Sequence, residues 1–186
     1  KPQASKINAI VKLFEIGLIK NRQLYWFHDL DAYQLYPIKE SELELGKVDM
    51  GLVDYGGVSF GGVDRWNTSS MFFKASSKDI FERIKELVYQ KRIDEEEALG
   101  LLTINDDDIR KRVKKLNCTY NFNGFSLRSR YATAVKPIRV AHFHPYGFIR
   151  RLRVERPLDF FLGQNSLGIP LITERLIKIF KFHRIR

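Results

Sequence analysis

Residues 76–131 constrain this chain more tightly than any other stretch, because three amphipathic helical stripes follow one another there and lead into an Asn-Gly pair. Ser76-Ser77-Lys78-Asp79 is a Ser-x-x-Asp capping signal, and Ile80, Phe81, Ile84, Leu87 and Val88 behind it share one helical stripe. A second helix opens at Asp94 with Glu97 three residues on, carries Ala98, Leu99, Leu101 and Leu102, and is expected to stop before Thr103. The third is expected over 106–117. Asn105 supplies its N-cap, Asp106, Asp107 and Asp108 sit where the helix dipole favours carboxylates, and Lys114 and Lys115 sit where it favours cations. Its apolar seam is only Ile109, Val113 and Leu116, so Arg110, Lys111, Arg112, Lys114 and Lys115 project around the remainder.

Asn123-Gly124 then separates Cys118–Phe122 from Phe125–Tyr131, two segments read as the strands of a hairpin, since a type I′ turn needs positive φ at both central residues. Alternation in the second strand places Ser126, Arg128 and Arg130 on one face and Phe125, Leu127, Ser129 and Tyr131 on the other. Three helices and a basic hairpin resemble the winged-helix form of the helix-turn-helix, which implies a third helix in the major groove and a wing along the backbone. Leu101-Leu102-Thr103 stands where that family usually has a glycine turn.

Charge supports a polyanionic partner. The chain carries +10 overall, but Arg110 to Arg186 holds 18 Lys and Arg against three acids, while the preceding part is net −5. A half-chain of that sign attracts nucleic acid, an acidic protein or an anionic surface, and a solvated basic face is the plain alternative. At 186 residues, 44% hydrophobic, the chain is long enough for a hydrophobic core and is not a disordered tail. One cysteine, Cys118, excludes an internal disulfide and reads as a buried structural thiol. No apolar run reaches the roughly 18 to 20 residues of a membrane span. The N-terminal segment is interrupted by Lys12 and Glu15, unlike a signal-peptide core, so cytoplasmic residence is expected, in a chain that lacks an initiator Met and can be part of a longer one.

Residues 7–19 fit a helix or a strand, and periodicity alone leaves both open. Gln23–His28 reads as an aromatic strand, the glycine pairs at 56–57 and 61–62 as turns between short strands, and Met71–Phe73 as a brief strand after a polar connection. Those glycines lack the Lys-Ser/Thr of a P-loop and the spacing of a dinucleotide fingerprint. Lys136-Pro137 restricts its segment to a sheet edge or a strand start. Phe148–Arg156 alternates with Arg151 and Arg153 on one side, and Thr173 to about His183 is the last helix. The expected fold is α+β: a β-rich acidic region over 1–75, a winged-helix-like basic region over 76–141, and a basic strand-plus-helix extension over 142–186.

His142-Phe143-His144 is the pair most able to carry chemistry, since residues i and i+2 of a strand share a face and both imidazoles can reach one divalent metal. The pattern resembles the metal motif of rolling-circle replication nucleases, which implies a nucleophilic tyrosine downstream; none follows Tyr146, and Glu155 or Asp159 are the candidate third ligands. Arg156–Phe161 with Gly168–Leu176 is similar to the C-terminal segment of bacterial immunity proteins, which implies toxin binding. The preferred reading is a non-enzymatic nucleic-acid-binding protein, DNA or RNA, with no cofactor. Arg110, Lys111, Arg112, Lys114, Lys115, Arg128 and Arg130 make the contacts, Arg150, Arg151, Arg153 and Arg156 extend them, and Asn121 and Asn123 reach base edges. The rivals are a toxin-binding protein with an acidic partner and a metal-dependent nuclease.

Overall fold

A computed structural model of the chain describes residues 5–60, 63–123, 127–142 and 170–182. It divides into two units, Lys1–His28 with Lys39–Leu116, and Asp29–Ile38 with Asn117–Arg186.

In the first unit a four-stranded sheet has the order β1-β4-β3-β5. Its strands are β1 (Leu24–His28), β3 (Met50–Phe60), β4 (Val63–Lys74) and β5 (Val113–Lys115). Alternation sorts the two faces: Met71 and Phe73 of β4 turn to the core with Tyr25 and Phe27 of β1 opposite them in register. Trp26 and Phe72 stack on the other face with rings 6° from parallel, and the Trp26 indole N–H donates to Ser70 Oγ at 2.9 Å. The core face is covered by α1 (Ser5–Glu15), α3 (Lys78–Lys91), α4 (Glu95–Asn105) and α5 (Asp107–Arg112), whose Ile7, Ile10, Phe81, Ile84, Leu99 and Ile109 are all buried. The short α2 (Glu40–Leu43) leads into β3. Of residues 7–19, for which helix and strand were both open, those up to Glu15 belong to α1, because Ile7, Ile10 and Val11 make one buried stripe.

The second unit contains a smaller sheet, β2-β7-β6, built from β2 (Ala32–Gln34), β6 (Phe122–Asn123) and β7 (Val140–His142). β7 runs antiparallel to β2 and parallel to β6. The Asn117 side chain shapes the return loop, donating to Thr133 C=O and accepting from the Thr119 and Val135 N–H groups. The helices α6 (Leu127–Thr133) and α7 (Pro170–Phe182) complete the described part.

The mixed α and β content agrees with the expected class, but the described residues do not form the winged-helix arrangement. The basic helix ends at Arg112, and Val113–Lys115 instead forms β5, parallel to Met50–Leu52 of β3. Where a second hairpin strand was expected, Leu127–Thr133 is helical, and the partner of Phe122–Asn123 is β7. Both corrections have one cause: local patterns that fit two geometries are settled by the neighbouring strand available to pair. Smaller corrections follow the same logic. Residues 65–70, expected as a polar connection, are part of the long β4, and α4 continues through Thr103 to Asn105. The cap of α5 is Asp106, whose carboxylate accepts from the Asp108 and Ile109 N–H groups. The first capping signal does not form either, because Ser77 Oγ donates to Lys74 C=O and Ser76 Oγ bonds Asp49.

Candidate metal centre

The chain leaves β1 through a tight turn. Asp29 C=O accepts from Ala32 N–H at 3.0 Å, so Asp29-Leu30-Asp31-Ala32 closes as a β-turn, the setting that aspartate favours. Leu30 stands at its tip, 94% exposed, while Asp31 on the other side is buried. β2 starts at Ala32, and its register sets Ala32 opposite His142, the last residue of β7. The buried His142 thereby meets the turn, with Nε2 3.4 Å from Asp31 Oδ1. One ligand atom each from Asp29, Asp31 and His142 lies within 4.8 Å of the other two.

Two carboxylates and one imidazole form a donor set of hard oxygens with a borderline nitrogen, suited to Mg²⁺, Mn²⁺ or Zn²⁺ rather than to a soft ion such as Cu⁺. Asp31 and His142 are buried and Asp29 is half-buried. The residues therefore fit a divalent cation.

A second polar cluster is closed on itself. Glu96 accepts from the Tyr55 hydroxyl at 3.0 Å, Arg65 Nε at 2.9 Å and Thr68 N–H at 3.1 Å, and Arg65 also pairs with Asp94 at 3.1 Å. Burial, and then the Glu96 carboxylate, push the Tyr55 phenol well above the usual tyrosine range, so it stays a donor. These groups tie β3 and β4 to the start of α4.

The cations expected to meet nucleic acid do not share one free surface. Arg112 pairs with Asp49 at 2.6 Å and Asp79 at 2.7 Å, Arg110 with Asp107 at 2.8 Å, and Lys115 with Asp54. Lys114 donates to the carbonyls of Leu43 and Glu44, and the alternation of β5 sends it to the face opposite Lys115. Lys111 is exposed, Arg130 is buried, and Arg128 lies within α6. Asn121 is buried, and Asn123 ends β6. Arg150, Arg151, Arg153, Arg156, His144, Glu155 and Asp159 lie outside the described residues, as does most of the segment likened to immunity proteins. Of the histidine pair, His142 is among the described residues, and it lies beside Asp29 and Asp31. Sequence reasoning passed over Asp29-Leu30-Asp31; the signal was two aspartates at i and i+2 directly after an aromatic strand.

No protein-family model matches the chain, and no curated protein matches its sequence. Solved structures do match its fold. One is the galactosyltransferase LgtC in complex with donor and acceptor sugar analogs, with TM-score 0.53 and 20% identity over 87% of this chain and 66% of that one. Another is the glycosyltransferase GlyE of Streptococcus pneumoniae, with TM-score 0.52 and 14% identity over 93% of this chain and 46% of that one. The chain thus spans less than two thirds of the length of either. At these identities the likeness defines the fold, a GT-A-like arrangement, and it overturns the resemblances to winged-helix and immunity proteins. With them fall the readings as a nucleic-acid binder, a toxin-neutralising protein and a rolling-circle type nuclease. Among the described residues no helix is long and apolar enough to cross a membrane.

Proposed function

We propose that this chain belongs to a metal-dependent glycosyltransferase, which moves a sugar from a phosphate-activated donor to an acceptor hydroxyl. The observation that carries the reading is the meeting of Asp29, Asp31 and His142 in a chain with the fold of sugar-transferring enzymes. Asp31 and His142 hold the cation from the buried side, and Asp29 holds it beside the exposed tip of the turn, where substrate oxygens can complete the coordination. A bound divalent cation supplies positive charge to the departing phosphate oxygens. The turn bond between Asp29 and Ala32 and the β2–β7 register preorganise the three donors, so ordering them costs little when the cation arrives.

The test is Mn²⁺ binding, followed by electron paramagnetic resonance of the free ion, with release of nucleoside diphosphate from a panel of sugar nucleotides. One bound ion is expected, with turnover lost in EDTA and restored by Mn²⁺. Asp31→Asn and His142→Ala should each lose the ion, by more than the roughly 10–100-fold typical of residues that only support ligands. Wild-type affinity in both variants would refute the centre, and metal-independent turnover would refute its role.

A further inference from the structure

The ladder that brings His142 to the turn is only three pairs long, Ala32↔His142, Tyr33↔Ala141 and Gln34↔Val140. The donors stand at one end. At the other end Leu35 N–H donates to Arg139 C=O at 2.7 Å, which prolongs the contact between the two segments by one step. So short a ladder has little stability of its own. A slip of one residue would turn its side chains to the opposite face and carry His142 away from Asp31.

The far end is held from a third element. Arg175 of α7 donates from Nε to Leu35 C=O at 2.8 Å, and its guanidinium carbon lies 4.7 Å from the centroid of the Tyr36 ring. Leu35 is thus bonded on its N–H side to the segment leading into β7 and on its C=O side to the C-terminal helix. A planar guanidinium can donate to a carbonyl and stack on a ring at once, whereas an ammonium offers a compact point charge.

We infer that Arg175 is a positioning residue for the cation: by clamping Leu35 and Tyr36 it fixes the β2–β7 register on which the Asp31–His142 approach depends. The inference rests on the metal centre proposed above, and the experiment separates the two. Mn²⁺ affinity is measured on Arg175→Ala, Arg175→Lys and wild type, together with the thermal midpoint of each protein in EDTA. Arg175→Ala should weaken Mn²⁺ about tenfold, as loss of a supporting contact does at other metal sites. Arg175→Lys should recover part of the loss, because an ammonium still reaches the Leu35 carbonyl. Wild-type Mn²⁺ affinity in Arg175→Ala overturns the clamp and leaves the metal centre standing. A lowered midpoint in EDTA with unchanged Mn²⁺ affinity assigns Arg175 to bulk stability and also overturns it. Absence of Mn²⁺ binding in wild type overturns the centre itself, and the clamp with it. Should Arg175→Ala fail to fold, Tyr36→Leu removes only the stacked ring; a weakening smaller than the roughly tenfold of a lost supporting bond supports the clamp, and no change refutes it.

Discussion

Replacing Arg112 by alanine tests whether the basic segment holds the fold together. Its guanidinium donates from Nε to Asp49 at 2.6 Å, from both terminal nitrogens to Asp79 at 2.7 Å, and to Ser76 C=O at 2.8 Å. The contact with Asp108 is 3.4 Å long, and Asp108 is 79% exposed, so it adds nothing measurable. Asp79 is half exposed, which limits that pair to about 0.5 kcal/mol. Asp49 is only 13% exposed, and stripping a charged donor from it costs about 1.5–3 kcal/mol. With the lost Ser76 bond, Arg112→Ala should lower the unfolding free energy by about 3 kcal/mol, measured by urea titration. Arg112→Lys should recover less than half, since an ammonium lacks the bidentate fork. The effect should persist in 1 M salt, because the Asp49 pair is shielded from solvent. The Arg112 hydrogen bonds hold the Asp79 carboxyl below the usual carboxylate range. That contribution is therefore complete above about pH 4 and fades as the pH falls through the lower folded value, so the difference between wild type and variant should shrink in acid by about the 0.5 kcal/mol assigned to the Asp79 pair. A loss below about 1 kcal/mol at neutral pH would show that the pair with Asp49 is not a structural tie.

Two further substitutions probe how the first unit is packed and capped. A Cβ on Gly51 would come within 2.6 Å of Leu45 Cδ2 and 3.1 Å of Leu116 Cδ1, both side chains being buried, so Gly51→Ala should cost about 1–3 kcal/mol in a urea titration; a neutral result would mean those leucines have room to move. Asp94 caps α4 by accepting from Glu97 N–H at 2.8 Å, and Asp94→Ala should cost about 1–2 kcal/mol, with Asp94→Asn recovering most of it by differential scanning calorimetry.

The helices were the legible part of this sequence, because a helix writes its buried stripe within a few residues of chain. Ile80, Phe81, Ile84 and Val88 are buried as their spacing implies, and Asp94 and Glu97 form the expected cap. Val113 and Leu116 misled because a spacing of three suits a helix, while Val113 and Lys115 also alternate as in a strand. Leu127 and Tyr131 misled in the opposite sense: four residues apart, they fit the observed helix as well as the strand implied by Asn123-Gly124.

The candidate metal site could be read only in part from the sequence. His142 could be singled out by its residue type, but its companions stand far earlier in the chain, in a turn whose two aspartates also have a purely local explanation. Identity and spacing of residues thus prescribe the buried helical stripes and the sign of the charge, since each depends on neighbours a few positions away. Which cations are neutralised, and which carboxylates meet an imidazole, depend on sheet register and chain return. Those are set by pairing between distant segments, whose free energy no local pattern records.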